Sequence, residues 1–179
     1  MGRSFTSRQL RDVMGEFVTG VTVVTYIGPD GPHGVTVNAF SGLSLDPPLV
    51  LVCLSSQARS IGFIAASRVF AVNILSDRQA GLARRFARPG RPAGPDALSG
   101  TRYRTLVTGS PILEGTVTFL ECALSGTCAA GDHMILLGDV LAIGTNGESS
   151  PLLFHRGAYC DLAASWPALT RHQTGSCAE

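Results

Sequence analysis

The sequence predicts a single domain that is mainly β with short helices. Its 179 residues suit one hydrophobic core, and hydrophobic residues make up 45% of the chain against 15% charged residues. Several short runs rich in β-branched residues are bounded by turn residues, and they do not alternate regularly with helices as βαβ units do. We expect residues 1–165 to form the domain and residues 166–179 to form a polar tail.

The N-terminal elements are predicted to be a helix and a hairpin. Thr6 and Gln9 form a capping-box pattern, and four apolar residues at helical spacing predict a helix over residues 6–18 with one stripe packed against the core. That stripe consists of Leu10, Val13, Met14 and Phe17. Residues 21–26 favour a strand, and the Asp-Gly pair that follows predicts a hairpin with a return strand over residues 34–40. Residues 41–48 are expected to form a polar bend that ends in proline.

The remaining elements follow from the same patterns. Residues 49–54 are an apolar run short enough for a buried strand. The segment 88–109 is rich in proline, glycine and arginine and predicts a long surface loop. In chain order, the other expected elements are a short helix from Ser55, a strand at 69–75, a helix at 77–87, an antiparallel pair at 117–122 and 135–143, and short strands at 152–154 and 158–162.

Composition and missing motifs exclude several function classes. A net charge of +1 and a pI near 7.7 argue against a nucleic-acid partner. The chain contains no lysine, which excludes a Walker A phosphate loop and Schiff-base chemistry. It also lacks the G-x-S-x-G, H-E-x-x-H and G-x-G-x-x-G motifs, so hydrolase, zincin and Rossmann dehydrogenase functions are disfavoured.

Cysteine usage and surface composition predict the setting of the protein. Five cysteines without a C-x-x-C pair favour a reduced, cytoplasmic protein, and the scattered cysteines and histidines predict no metal site. No apolar run is long enough to span a membrane, and the N-terminus has no signal-peptide pattern. The low charged fraction predicts a homodimer, because association would cover apolar surface.

The segment from Gly34 to Pro48, GVTVNAFSGLSLDPP, carries most of the functional signal. Thr36, Asn38 and Ser41 would present polar groups along an exposed strand edge, while Val35, Val37 and Ala39 face the core. Main-chain groups on such an edge can recognise a flat heteroaromatic ring such as isoalloxazine, and the proline bend would make the pocket rigid. A plain edge strand with a proline-terminated turn is the alternative.

A second polar group follows the next strand. Ser55 and Ser56 lie at the expected start of a helix, and Arg59 and Ser60 follow closely. Free N–H groups at a helix N-terminus, hydroxyl groups and a guanidinium together suit an anion such as phosphate. In the alternative interpretation, Ser55 caps the helix and Arg59 is a solvated charge.

Several separated motifs resemble the short-chain flavin reductases, which are the reductase components of two-component flavin-dependent monooxygenases. These motifs are RDVMGEFVTGVTVVT from Arg11, GVTVNAFSGLSLDPPLVLVCL from Gly34, FAVNIL with the later Gln79 and Phe86, and Gly131-Asp132-His133. The resemblance implies a split β-barrel with Greek-key antiparallel strands, usually a homodimer, that binds FMN or FAD. It also implies an enzyme that reduces flavin with NADH or NADPH and releases it to a separate monooxygenase.

The resemblance also assigns roles to individual positions. Thr36, Val37, Asn38 and Ala39 would contact isoalloxazine, while Ser44, Asp46 and Pro47 shape the neighbouring turn. Cys53, Leu54, Ser55, Arg59 and Ser60 would lead along the ribityl chain to the phosphate, and Phe86 would lie near the flavin tail. His133 would act on the nicotinamide side as the catalytic residue. Its alternative role is that of a turn residue hydrogen-bonded to the backbone.

Hydride transfer between cofactors depends on positioning, so no side chain is expected to serve as a nucleophile or an indispensable base. Three other functions stay open at this point. The chain could hold flavin as a carrier without efficient turnover, or use a retained flavin directly on an organic substrate. A purely structural dimerisation domain would leave the polar strand edge and the serine-arginine turn without a role.

Overall fold

A computed structural model describes residues 4–91, 94–147 and 149–162, apart from the side chain of Pro95. The expected tail at 166–179 lies outside these residues. Within the described ranges the structure has three α-helices: α1 (Ser7–Met14), α2 (Ser60–Ser67) and α3 (Ala80–Ala87). None of the helices in this part of the chain has the length and apolar character that a bilayer crossing requires.

Twelve strands form within the described ranges, and the prediction of a mainly β fold with antiparallel strands is confirmed. In chain order they are β1 (Thr19–Gly20), β2 (Thr22–Gly28), β3 (Gly31–Val37), β4 (Phe40–Leu45), β5 (Pro48–Ser55), β6 (Val69–Ile74), β7 (Tyr103–Arg104), β8 (Ile112–Leu113), β9 (Thr118–Ala130), β10 (His133–Thr145), β11 (Leu153–His155) and β12 (Ala158–Cys160).

Seven strands form the main sheet in the order β3-β2-β6-β9-β10-β5-β4. Its two edge strands, β3 and β4, are consecutive in the chain and are joined only by Asn38 and Ala39. The sheet must therefore curl until its edges come together, although β3 and β4 do not pair. We call the Asn38–Ala39 link between the unpaired edges the seam.

Two hydrophobic clusters form the core. The first lies inside the curled sheet and includes Val52, Phe70 and Leu136, with Ile64 of α2 packed into it. The second includes Val23 of β2, Leu75 after β6, Leu113 of β8, and Ala83 and Phe86 of α3. This helix therefore packs where its apolar face predicts, because both of these α3 side chains are buried.

A buried amide lies between β2, β6 and the segment before β9. Asn73 is fully buried; its Nδ2 donates to the Val23 carbonyl at 3.1 Å and to Thr25 Oγ1 at 2.9 Å, and its Oδ1 accepts the Leu113 N–H at 2.8 Å. Glu121, also fully buried, accepts hydrogen bonds from the main-chain N–H groups of residues 107 and 108. Polar side chains within the sheet thus fix the course of this segment.

Helix α1 differs from its prediction. Its capping box forms, since Thr6 Oγ1 accepts the Gln9 N–H at 3.2 Å and Gln9 Oε1 accepts the Thr6 N–H at 2.8 Å. The helix ends at Met14, however, and the prediction that its apolar stripe packs against the core is wrong, because Val13 is 70% and Phe17 77% exposed. Periodicity identifies an apolar face but not what covers it.

Two predicted irregular segments are also more ordered than expected. The polar bend at 41–48 shrinks to Asp46–Pro47, whose peptide is cis, because β4 pairs with β5 up to that turn. In the predicted surface loop 88–109, Leu98 is buried, and Arg85 of α3 donates to the carbonyls of Ser99 at 2.7 Å and Ala97 at 2.9 Å. The arginine thereby satisfies loop carbonyls that have no strand partner.

Candidate active site

A cavity of about 860 Å³ opens over the seam, within the size range typical of small-molecule sites. Its floor is formed by residues 38–41 together with Leu51 and Cys53 of β5. One wall is formed by α1 and the residues up to Phe17, and the turn between β11 and β12 adjoins it. His133, at the start of β10, completes the lining.

The floor presents main-chain donors. The Ala39 carbonyl accepts the Cys53 N–H at 2.9 Å, and the Asn38 carbonyl accepts the Phe40 N–H at 3.0 Å. The N–H groups of Asn38 and Ala39 have no hydrogen-bond partner among the described residues. The seam thus leaves two adjacent donors for a ligand with acceptor atoms along one edge, which matches the carbonyl and ring-nitrogen edge of isoalloxazine.

The strand before the seam supports it from below. Thr36 Oγ1 donates to the Ala83 carbonyl at 2.7 Å, which ties β3 to α3. Val37 is buried, and its carbonyl accepts from Thr22 Oγ1 at 2.7 Å. Neither residue lines the cavity. Ala39 was expected to face the core but is exposed at the cavity, because the turn at Asn38 breaks the strand alternation.

The β5 residues of the predicted site alternate between two faces. Cys53 is half-buried and lines the cavity, whereas Leu54 is buried in the first core cluster. Ser55 is the cross-strand neighbour of His133. The Ser56 N–H donates to the Asp132 carbonyl at 2.9 Å, so the start of β10 is fixed against the end of β5.

His133 combines exposure to the cavity with a carboxylate partner. Its Nδ1 lies 2.7 Å from Asp132 Oδ1, and this contact lowers the pKa of the Asp132 carboxyl below its ordinary value. The carboxylate favours the tautomer with hydrogen on Nδ1, which leaves Nε2 as an acceptor. The hydrogen-bond partner of His133 is thus a side chain, and not the turn backbone that the alternative role required.

The residues of the predicted anion site lie at the start of α2, outside the lining of the cavity. The helix begins at Ser60 and not at Ser55, and its N-cap is Arg59, which makes no side-chain capping bond. The Arg59 guanidinium is exposed and pairs with no acidic group in the described ranges. Ser60 Oγ is fully buried and has no hydrogen-bond partner among the described residues. These groups fit a phosphate.

Ten predicted residues do not line the cavity; besides Thr36, Val37, Leu54, Ser55, Arg59 and Ser60, these are Ser44, Asp46, Pro47 and Phe86. Ser44, Asp46 and Pro47 lie at the far end of the β4–β5 hairpin from the seam. Phe86 is 1% exposed in the second core cluster, where it packs closely against Gly34 of β3. It contributes to the packing of α3 below the seam.

Sequence reasoning missed one side of the site. Residues 11–12 and 14–17 and Arg156 line the cavity, but their pattern indicated only a packing helix and a short strand. The local sequence carries no signal for the missed wall, because it arises when β1 pairs with β11 and brings two distant segments together.

A buried histidine lies close to the anion site and predicts an acid-sensitive fold. His33 of β3 packs in a cluster with Tyr26 and Phe63, whose ring centroids lie 5.6 Å and 5.3 Å from its own, and its Nε2 has no partner among the described residues. Burial lowers the pKa of His33, and Arg59 and Arg91 lower it further, whereas Asp30 raises it.

Below its unfolded pKa of about 6.5, this histidine binds a proton in the unfolded chain that the folded chain excludes. We therefore expect the free energy of unfolding to fall as the pH decreases through 6.5, and His33→Phe to flatten this part of the curve. Urea unfolding between pH 5 and 7.5 measures both, with His133→Asn as the control. An equal slope in wild type and His33→Phe would contradict the assignment.

Comparison with known proteins agrees with this geometry. The flavin reductase like domain matches residues 14–163. A flavin reductase from Pseudomonas putida is 41% identical over 155 residues, covering 86% of this chain and 89% of that protein. An NADH-dependent FAD reductase from Streptomyces globisporus is 40% identical over 152 residues, covering 84% and 83%.

A solved structure gives the same result for the fold. The bacterial protein BorF, the flavin reductase component of a two-component tryptophan halogenase, superposes with a TM-score of 0.82 at 37% identity, covering 88% of this chain and 98% of BorF. The resemblance to flavin reductases and the predicted enzyme class are thereby confirmed. The chain belongs to the flavin reductase like domain family.

Proposed function

We propose that this chain is an NAD(P)H:flavin oxidoreductase that binds FMN or FAD over the seam and supplies reduced flavin to a partner monooxygenase. The observation that carries the proposal is the pair of unpartnered N–H groups at Asn38 and Ala39 on the floor of the cavity. NADH and NADPH oxidation with each flavin in turn is the test. Failure of the purified protein to take up either flavin would contradict it.

A bound flavin supplies the hydride acceptor and a reduced nicotinamide the donor. The chain's own residues bind the flavin and orient it. The seam N–H groups donate to acceptor atoms on the ring edge, while Phe40 and Leu51 give the floor an apolar surface that excludes water. Arg59 and Ser60 hold the phosphate. No residue has to remove a proton from carbon, so the rate of hydride transfer depends on how the chain positions the two cofactors.

We expect His133→Asn to raise the KM for the nicotinamide about fivefold with little change in flavin affinity, because one hydrogen bond of about 1 kcal/mol at Nε2 is lost. Steady-state kinetics at saturating flavin and a flavin titration measure the two quantities separately. Thr127→Ala, an exposed position on the partner strand, is the matched control. A change confined to flavin affinity would contradict the nicotinamide role.

Two alternatives keep the same binding site. A carrier would bind flavin tightly yet fail to oxidise either nicotinamide. An enzyme acting directly on an organic substrate would retain its flavin through repeated turnovers. Measuring release of reduced flavin under anaerobic conditions separates both from a reductase that passes flavin on.

A homodimer is part of the proposal. The exposed apolar stripe of α1, with Val13, Met14 and Phe17, lies beside the cavity and supports association with a second copy. Sedimentation at micromolar concentration tests it. The cytoplasmic location stays a prediction from the sequence.

A further inference from the structure

Helix α1 forms a wall of the cavity without being buried itself. None of its residues is buried, and the large apolar side chains of its C-terminal half are exposed. Packing inside this chain therefore contributes little to holding α1 in place. The fixed point lies just after its end, at Gly15 and Glu16.

A bidentate ion pair joins this point to the adjoining β11–β12 turn. Arg156 Nε lies 2.9 Å and 3.0 Å from the two carboxylate oxygens of Glu16, and Nη2 lies 2.8 Å from Oε2. The Arg156 N–H also donates to the Gly15 carbonyl at 3.0 Å. We call these contacts the clasp. His155 Nε2, 3.8 Å from Glu16 Oε2, is the nearest further basic group.

The backbone directs Arg156 toward Glu16. Its φ of +48° places it in the left-handed region, which a non-glycine residue enters at a cost, within the tight turn between β11 and β12. The arginine also lowers the pKa of the Glu16 carboxyl, so the pair is fully charged at neutral pH. Fork geometry makes it stronger than an ordinary surface pair.

The clasp forms part of the cavity wall, because Glu16 and Arg156 both line the cavity where the end of α1 meets the β11–β12 turn. Its side chains remain more than half exposed, so it is a weak link that water and salt can reach. A protein that passes its flavin to a second protein needs a wall that closes and reopens without unfolding the barrel.

We propose that Glu16 and Arg156 are positioning residues whose clasp holds the end of α1 against the β11–β12 turn at the cavity wall and sets how fast flavin leaves. The inference rests on the proposed function, since the cavity must hold flavin. The clasp acts on the wall and not on the phosphate site. It therefore delays FMN and riboflavin equally, whereas Arg59 acts on FMN alone.

The test is stopped-flow release of FMN and of riboflavin from the purified full chain. We expect Glu16→Gln and Arg156→Gln each to accelerate release of both flavins about two- to fivefold, the range of an exposed ion pair, with an unchanged unfolding midpoint. The charge-swapped double variant, Glu16→Arg with Arg156→Glu, should restore slow release. The matched control is Glu114→Gln, which breaks the exposed Arg102–Glu114 pair at 3.1 Å, outside the cavity lining.

Unchanged release in both single variants would overturn the clasp while leaving the proposed function intact. A swapped variant that stays fast would assign the effect to the altered side chains and would likewise overturn it. Failure of the wild-type chain to bind either flavin would overturn the proposed function and this inference together. Faster flavin release in the Glu114→Gln control would show that losing an ion pair elsewhere has the same effect, and it would overturn the clasp.

Discussion

Replacing Arg59 with alanine is expected to weaken FMN binding about ten- to hundredfold while leaving riboflavin binding unchanged. A charged hydrogen bond to phosphate contributes about 1.5–3 kcal/mol, and Arg59 has no acidic partner in the described ranges to restrain it. The two ligands differ only in the phosphate, so their comparison isolates the contact. Fluorescence titration with each flavin measures the two dissociation constants.

Two further variants sharpen this result. Ser60→Ala removes a buried hydroxyl that has no partner, so it should weaken FMN binding without lowering the free energy of unfolding. Arg78→Ala, an exposed arginine on the 3₁₀ turn before α3, is the matched control and should leave FMN affinity as it is. Equal losses for FMN and riboflavin in Arg59→Ala would contradict the phosphate assignment.

The second large effect concerns stability. Asn73→Leu keeps the side-chain volume similar but removes four buried hydrogen bonds, which reach β2, β8 and the Pro111 carbonyl just before β8. The Leu113 N–H and the Val23 carbonyl would then be buried without their present partner. At about 1–3 kcal/mol for each buried unsatisfied group, we expect the free energy of unfolding to fall by about 3–5 kcal/mol.

Urea unfolding measures this loss, and Asn146→Leu provides the control. Asn146 is only half-buried, and its Nδ2 donates to Thr116 Oγ1 at 2.7 Å, so water can replace the lost bond. We expect its cost to be about 1 kcal/mol. If both variants lost the same free energy of unfolding, burial of the Asn73 amide would not explain its contribution to stability.

The elements that local chemistry specifies were predictable. The turn at Asp30 forms as the Asp-Gly pair indicates, and β9 and β10 meet at Gly131–Asp132 where the turn residues lie. The strand β4 was missed because a glycine and two serines mask its alternation. The order within 88–109 was missed because Arg85 supplies its hydrogen bonds from another element.

In the site, too, features specified by local sequence were predictable, and those that depend on distant segments were not. Asn38, Ala39, Cys53 and His133 meet at one cavity, as the motifs predict, because β5 places its end beside the start of β10. The wall formed by α1 was not predictable, since the sequence shows an apolar stripe and not the neighbour that β1 and β11 bring to it. Distances along a strand are encoded locally, whereas the pairing of distant segments is not.

The link of only two residues between the first and last strands of the main sheet has a mechanical consequence. A flavin ring bound at the seam would contact both edge strands, β3 and β4, which form no hydrogen bonds with each other as strand partners. The loaded protein should then be stiffer than the empty one, with slower amide exchange in β3 and β4 and little change in β9. Release of the flavin would then loosen the two edge strands and leave the centre of the sheet as it was.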